Sequence, residues 1–284
     1  MNNIRKNRLF DKLFSIWGIT STLIGILMLG IFIIYILRDG VTRINWDFIT
    51  SLPSRIPSKA GIYTAMMGSV WILFLTSVFA FPMGVAAAIY LEEYLPKNKF
   101  ATILEINISN LAGVPSIIYG LLGLQIFSRT IGLGGNLLAG ALTLSLLILP
   151  IIIVATREAL KAVPSSIKDA SYALGATKWQ TIWFQLLPSA FGGIMTGAIL
   201  AISRAVGEAA PLIVVGALAY VPFAPKSPMD PFSVMPIQIF NWISRPQSGF
   251  VVNAAAGIIV LLLITFLMNV VAIILRNKNE KKFR

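Results

Sequence analysis

Neither cysteine nor histidine occurs among the 284 residues. That double absence excludes disulfides, Cys/His zinc sites, thiolate nucleophiles and Ser-His-Asp triads together. It also leaves the redox compartment unreadable, because there is no thiol to read. Charge is scarce as well. Only 12% of the residues are Asp, Glu, Lys or Arg, about half of the ~25% usual in a soluble domain. The 11 acidic residues are scattered, without the cluster near an interface that a membrane enzyme would need. There is no G-x-x-x-x-G-K-[ST] phosphate loop, so this chain does not hydrolyse ATP through that motif. No period of 20–50 residues repeats along it, and no low-complexity linker divides it.

What the chain has in abundance is apolar sequence: 57% of all residues, with a mean hydropathy of +0.82. Six stretches are long enough to cross roughly 30 Å of hydrocarbon, which takes about 20 helical residues. They cover residues 15–37, 64–91, 106–128, 132–156, 189–218 and 250–275. The third is interrupted by Asn107, Asn110 and Pro115, and the fifth carries Arg204 and Glu208 near its middle. The pattern predicts an all-α, polytopic membrane bundle of about six helices. The basic N-terminus followed by an apolar run invites comparison with a signal peptide. The run is too long for that, and no A-x-A-like cleavage site follows it, so it is expected to be a retained first helix.

The net charge of +12 raises the question of nucleic acid, and its distribution answers it. With the N-terminus inside, one side of the membrane holds 15 basic residues: Arg5, Lys6, Arg8, Lys12, Lys97, Lys99, Arg157, Lys161, Lys168, Lys178, Arg276, Lys278, Lys281, Lys282 and Arg284. The other side holds 7: Arg38, Arg43, Arg55, Lys59, Arg129, Lys226 and Arg245. The excess marks the cytoplasmic side. Both termini are therefore expected there, as six spans require, and the charge reads as topology, with no nucleic-acid partner. The expected organisation is a cytoplasmic N-terminus (1–14), a transmembrane domain (15–275) and a basic cytoplasmic tail (276–284).

Between the fourth and fifth spans, residues 157–188 are too long for a turn and too patterned for a linker. Ser166 stands three residues before Asp169, a capping-box spacing. Ile167, Ala170, Ala173 and Leu174 then recur at helical intervals, and Gly175 offers a left-handed stop. Thr177 and Gln180 repeat the capping-box spacing; Trp179, Ile182, Trp183 and Leu186 line one face, and Pro188 is expected to end the pair. Two short amphipathic helices at about 164–187 follow from this. Periodicity alone leaves two roles open: a helix pair resting on the membrane interface through its tryptophans, or a docking surface for a soluble partner.

The run Asp169-Ala170-Ser171-Tyr172-Ala173-Leu174-Gly175, nine further residues, then Gln185-Leu186-Leu187-Pro188 resembles the "EAA" loop of ABC importer permeases. Asp169 replaces the usual Glu, Ser171 the second Ala and Gln185 the usual Ile, while Gly175 and Leu187-Pro188 keep their spacing. The resemblance implies a type I importer permease whose loop seats in a cytoplasmic ATPase subunit. Asp169, Ala170, Gly175, Leu187 and Pro188 would then be the ATPase-coupling residues.

Arg204 and Glu208 are four residues apart and would share one helix face. Ionisable groups at mid-membrane cost about 2.5–3.5 kcal/mol each on insertion scales and usually face a cavity or a partner. Either they form a pair that merely neutralises itself, or Arg204 faces a polar pathway and binds an oxyanion with its planar guanidinium. A cation pathway would be lined by carboxylates. Gly207 permits close helix approach, Pro211 can break the helix one turn later, and Gly192, Gly193 and Gly197 include a small-xxx-small spacing.

The segment Arg204-Ala205-Val206-Gly207-Glu208-Ala209-Ala210-Pro211-Leu212 is similar to the R-A-x-G-E-x-A-P-L segment of the PstA family, the A-type permeases of phosphate ABC importers. The run from Ala112 to Gly120 is similar to a stretch shared by both phosphate permeases, and the likeness extends over residues 64–245. It implies a heterodimeric pore with a C-type permease, two copies of a cytoplasmic ATPase and an extracytoplasmic phosphate-binding protein. In that reading Arg204 and Glu208 are the charged pair of the substrate pathway, the chain carries no catalytic residue, metal or cofactor, and it resides in the bacterial inner membrane. A proton-coupled secondary transporter is the competing class, but it would need no EAA-type loop and usually has more spans or an internal repeat.

Overall fold

The computed structural model describes residues 2–96, 98–217 and 220–280. Among the basic residues counted above, Lys97, Lys281, Lys282 and Arg284 lie outside the described residues, as do the side chains of Arg5, Lys6 and Arg8. All regular secondary structure among the described residues is helical, with no strand. Five helices are long and apolar enough to cross a membrane, and a sixth span forms if one sharply bent pair is counted. This is the expected all-α membrane bundle.

Helix α1 (Asn2–Gly40) has a basic start and then a long apolar stretch. Only 6% of its most apolar stretch is buried, against 67% for α6 (Leu137–Lys161), so α1 is peripheral and α6 is the hub. Ile36 of α1 packs on Ala255 and Ile259 of α12 (Ser248–Glu280). Near the C-terminal end of α1 lie the short α2 (Trp46–Thr50) and then α3 (Tyr63–Ile89). Arg43 ties this end together: its guanidinium donates to the Asn253 side chain and to the carbonyls of Ser58 and Ala60.

Against α6 pack α3 on one side and α9 (Leu187–Val206) on another. Hydroxyls of Thr76 and Ser145 bridge α3 and α6 through backbone carbonyls at 3.3 Å, satisfying polar groups that lipid cannot. On the α9 side the small-residue spacing is a real contact. A Cβ placed on Gly193 would lie 2.6 Å from that of Ala159, and one on Gly197 would lie 2.3 Å from that of Ala155. The two backbones approach because nothing stands between them.

The third span is not a simple crossing. Helices α4 (Lys99–Leu111) and α5 (Ser116–Gly123) meet at 101° across residues 112–115, where Pro115 resists a continuous helix. The Tyr119 hydroxyl donates to the Leu111 carbonyl at 2.8 Å and pins the bend. The fourth span starts later than expected. Asn136 caps α6 by accepting from Ala139, and the carbonyls of Pro228 and Asp230 take the N–H groups of Leu138 and Leu137. The Asp230 carboxylate in turn accepts from the backbone N–H of Lys226 and Ser227, and those two bonds hold its pKa below the ordinary aspartate value.

The fifth span needs the largest revision. A single helical course runs from Lys178 to Val206: α8 (Lys178–Thr181), a π-helical turn (Ile182–Leu186) and α9. Pro188 therefore does not end the second amphipathic helix. The wider π turn shifts the hydrogen-bond register just before the proline and so accommodates its missing N–H. At the far end the helix stops at Val206 instead of running to residue 218; α10 (Ala210–Val215) follows, and Leu218 lies outside the described residues. A last short helix, α11 (Met235–Ile243), packs against α12.

Candidate functional site

Two regions contain the residues singled out from sequence. The first is the break between α9 and α10. Gly207 ends α9, with its N–H returning to the Arg204 carbonyl and that of Glu208 to Ala205, each at 3.3 Å. Pro211 sits in the first turn of α10, where a missing N–H is harmless. So Arg204 and Glu208 do not share a helix face: Arg204 occupies the last turn of α9 and Glu208 the unwound link. They still meet, with Arg204 Nε 3.5 Å from Glu208 Oε1. The Glu208 side chain is 19% exposed and that of Arg204 42%. Among the described residues, neither terminal nitrogen of Arg204 donates a hydrogen bond.

Tyr119 belongs to the same region, and reading the sequence did not single it out. It packs with Ala201 and Ala205, on either side of Arg204 along α9, and lies within electrostatic reach of Arg204. Its place inside the Ala112 to Gly120 run was the available signal. Next to it, a Cβ on Gly120 would fall 2.7 Å from the Pro211 Cα. The bent segment α5 thus leans directly on α10, backbone against backbone.

The second region is the pair of short helices. Helix α7 spans Ser165–Ala173 with Pro164 at its cap position. The capping box expected from Ser166 and Asp169 is not formed, because the helix begins one residue before Ser166 and leaves it inside the first turn. Gly175 has φ +81°, and the N–H groups of Gly175 and Ala176 return to Tyr172 and Ser171, the left-handed stop that glycine permits. The second capping box is complete: Gln180 N donates to Thr177 Oγ1, and Thr177 N to Gln180 Oε1 at 2.8 Å. A buried hydrogen bond of 2.9 Å between Ser171 and Thr181 joins the two helices.

Asp169, Ala170 and Gly175 lie together on the exposed tip of this element, beside Leu174, which is 89% exposed. An open depression of about 640 Å³ runs past Ala170, Gly175 and Gln180. Leu187 and Pro188 are not at that tip. They are half-buried in the continuous helix, where Leu187 packs toward Leu160 and Leu186.

Around the base of the pair runs a ring of charges that sequence patterning did not bring together. Helix α3 ends in a π-helical turn, Tyr90–Tyr94. Its Glu92 meets the buried Arg157 at 3.4 Å, and Arg157 reaches Glu105 of α4 at 2.9 Å. Glu93 pairs with Lys168 of α7, and the Lys178 ammonium sits 4.8 Å from the centre of the Tyr94 ring.

Residues 80–284 match the family described as "binding-protein-dependent transport system inner membrane component". The chain belongs to this family. Among curated permeases, it is 32% identical over 274 residues to the probable ABC transporter permease protein YqgI of Bacillus subtilis (strain 168), covering 91% of this chain and 93% of that one. To the phosphate transport system permease protein PstA of Haemophilus influenzae it is 31% identical over 250 residues, with 88% of each covered. PstA 1 of Mycobacterium tuberculosis (strain H37Rv) is 32% identical over 243 residues, covering 84% and 77%. The likeness to the PstA permeases that Arg204–Leu212 carries thus extends over most of the chain.

Solved permease structures share the fold. A chain of a bacterial alginate ABC transporter, in complex with an alginate-bound periplasmic protein, superposes with a TM-score of 0.67 at 14% identity over 96% of this chain and 99% of that one. A chain of the inward-facing MetNI methionine ABC transporter gives 0.58 at 19% identity over 75% and 93%. The permease is a multi-pass membrane subunit of an ABC importer with the type I fold, and a transport subunit in kind.

Proposed function

We propose that this permease is the A-type half of an inorganic phosphate importer. It would pair with a C-type phosphate permease, receive phosphate from an extracytoplasmic binding protein, and be driven by two copies of a cytoplasmic ATPase. Both termini would lie on the cytoplasmic side of the bacterial inner membrane. The observation that carries this reading is the Arg204–Glu208 pair at the α9–α10 break. The contact is made through Nε, so the two terminal nitrogens of the guanidinium remain to grip an oxyanion in the bidentate manner arginine favours. Glu208 keeps the site from holding that anion too strongly. A residue 42% exposed in an apolar bundle also calls for a facing wall, which the second permease would supply.

ATP-driven movement enters at the other end. The tip bearing Asp169, Ala170 and Gly175 seats in the ATPase, and because α8 continues into α9, movement of the tip displaces the helix that carries Arg204. Leu187 and Pro188 act inside that helix, as its seat on α6. The test is to purify the chain with its C-type partner and ATPase and to measure ATP hydrolysis with phosphate-loaded and sulfate-loaded binding proteins. The reading expects stimulation by the phosphate-loaded protein. Equal stimulation by a sulfate-loaded one, or no ATPase in the complex, contradicts it.

A further inference from the structure

We infer that the π-helical turn Tyr90–Tyr94 receives the movement of the coupling helices and transmits it to α3, with Glu93 and Tyr94 as its positioning residues. The inference rests on the docking role proposed for α7 and α8, and goes beyond it.

The covalent path explains only part of the motion such a permease needs. Helix α8 runs straight into α9, so α9 moves with the tip. Helix α6 is joined to α7 through residues 162–164 and packs on α9. Helix α3 has no chain link to either coupling helix and follows only if side chains hold it to them. The turn at the end of α3 makes those contacts, with one residue for each coupling helix. Glu93 pairs with Lys168 of α7, its side chain only 7% exposed and that of the lysine 25%. Burial keeps such a pair from being screened as a surface pair is. The next residue, Tyr94, presents its ring to Lys178 at the start of α8, a favourable cation–π contact. The Ser171–Thr181 bond makes α7 and α8 one body, so both contacts report the same displacement. On the other side of the turn, Glu92 meets the buried Arg157 in the last turns of α6.

The geometry of the joint fits this use. A π turn lies on each side of it: Tyr90–Tyr94 in α3 and Ile182–Leu186 between α8 and α9. Such turns carry a shifted hydrogen-bond register inside an otherwise regular helix and are often found where helices work. Here both flank the polar contacts, so the helices can change pitch locally while the ion pair holds.

The absence of cysteine in this chain allows a test that needs no substrate. Val78→Cys, on an exposed face of α3, is labelled with a membrane-permeant thiol reagent in the complete complex. The label on this chain alone is read without nucleotide and after vanadate trapping. Trapping should change the labelling rate by about tenfold, within the usual range of a coupling factor. With Glu93→Gln added, the ATPase should remain bound and trap nucleotide while the change in labelling falls below about twofold. The charge exchange Glu93→Lys with Lys168→Glu should restore it, which separates a transmitted contact from a folding defect. If Glu93→Gln does not assemble, Tyr94→Leu should give the same loss and Tyr94→Phe should not. An unchanged labelling response in Glu93→Gln, or in Tyr94→Leu, overturns the inference. If the ATPase does not bind the unaltered chain, the docking role itself has failed. If it binds and traps nucleotide but Val78→Cys does not respond without Glu93→Gln, α3 does not move with the coupling helices and the inference falls.

Discussion

Arg204 and Glu208 meet at 3.5 Å across a point where the helix carrying Arg204 has ended. The distinction matters for charge. A cation in the last turn of a helix is favoured by the unsatisfied carbonyls and the negative end of the helix dipole. Arg204 is therefore stabilised from two directions, and the helix end still favours it when Glu208 is engaged elsewhere. Glu208→Gln should accordingly leave an assembled permease that still admits phosphate but releases it slowly. Its maximal uptake rate in proteoliposomes should fall by about tenfold, the signature of a ground state bound too well. An unchanged rate removes Glu208 from the pathway.

The α6–α9 contact predicts a stability effect with an internal control. Gly197→Val puts a side chain where a Cβ already lies 2.3 Å from that of Ala155. Overpacking of this kind costs about 1–3 kcal/mol, or several degrees of melting temperature in a chain of this size. Gly25→Val in α1 meets nothing within 4 Å and should leave the melting curve in detergent unmoved.

At the coupling tip the cost of substitution is backbone conformation, since nothing lies within 4 Å of a Cβ on Gly175. With φ at +81°, a β-branched residue is strained by about 1–2 kcal/mol, whereas asparagine tolerates the left-handed region. Gly175→Val should reduce co-purification of the ATPase, Gly175→Asn should largely preserve it, and Asp169→Lys should reduce it through reversed charge on the same tip. Full retention of the ATPase by Gly175→Val and Asp169→Lys together would remove this tip from the interface.

How much of this was legible in sequence depended on how local each cause was. Thr177 with Gln180 and the left-handed Gly175 could be read because caps and turns are settled within a few residues. The end of the fifth span could not, because hydropathy counts Gly207 and Pro211 as passable and only α5 packing on α10 shows why the chain unwinds there. Pro188 misled for a related reason. A proline stops a helix unless the register shifts before it, and the π turn Ile182–Leu186 does so in a segment whose Ile182 and Leu186 are held in a buried cluster with Leu160. The pairings of Glu92, Glu93 and Arg157 were invisible because they join residues about 65–75 positions apart, and no local spacing links them.

The loop before α11 carries a pH dependence. Asp230 is bound by the N–H groups of Lys226 and Ser227, so its folded pKa lies below the unfolded value. The stabilisation is therefore present above the unfolded aspartate pKa, near 3.9, and is lost as pH falls through the lower folded value. Because Pro228 and Asp230 cap α6, the protection of the Leu137 and Leu138 amides relative to their intrinsic exchange rate at each pH should be high at neutral pH and fall only in acid below about pH 4. Asp230→Ala should show fast exchange at neutral pH. Equal protection in the two proteins would show that the carboxylate does not hold the loop.

The central claim is that phosphate passes Arg204. Its most direct measurement is phosphate uptake into proteoliposomes by the complete complex carrying Arg204→Ala, with assembly and ATPase content verified. The account predicts an intact complex whose uptake falls by at least about a hundredfold, as expected when a bidentate anion contact is lost from a desolvated path. Arg204→Lys should recover only part of it. Uptake at the unaltered rate in Arg204→Ala would contradict the account.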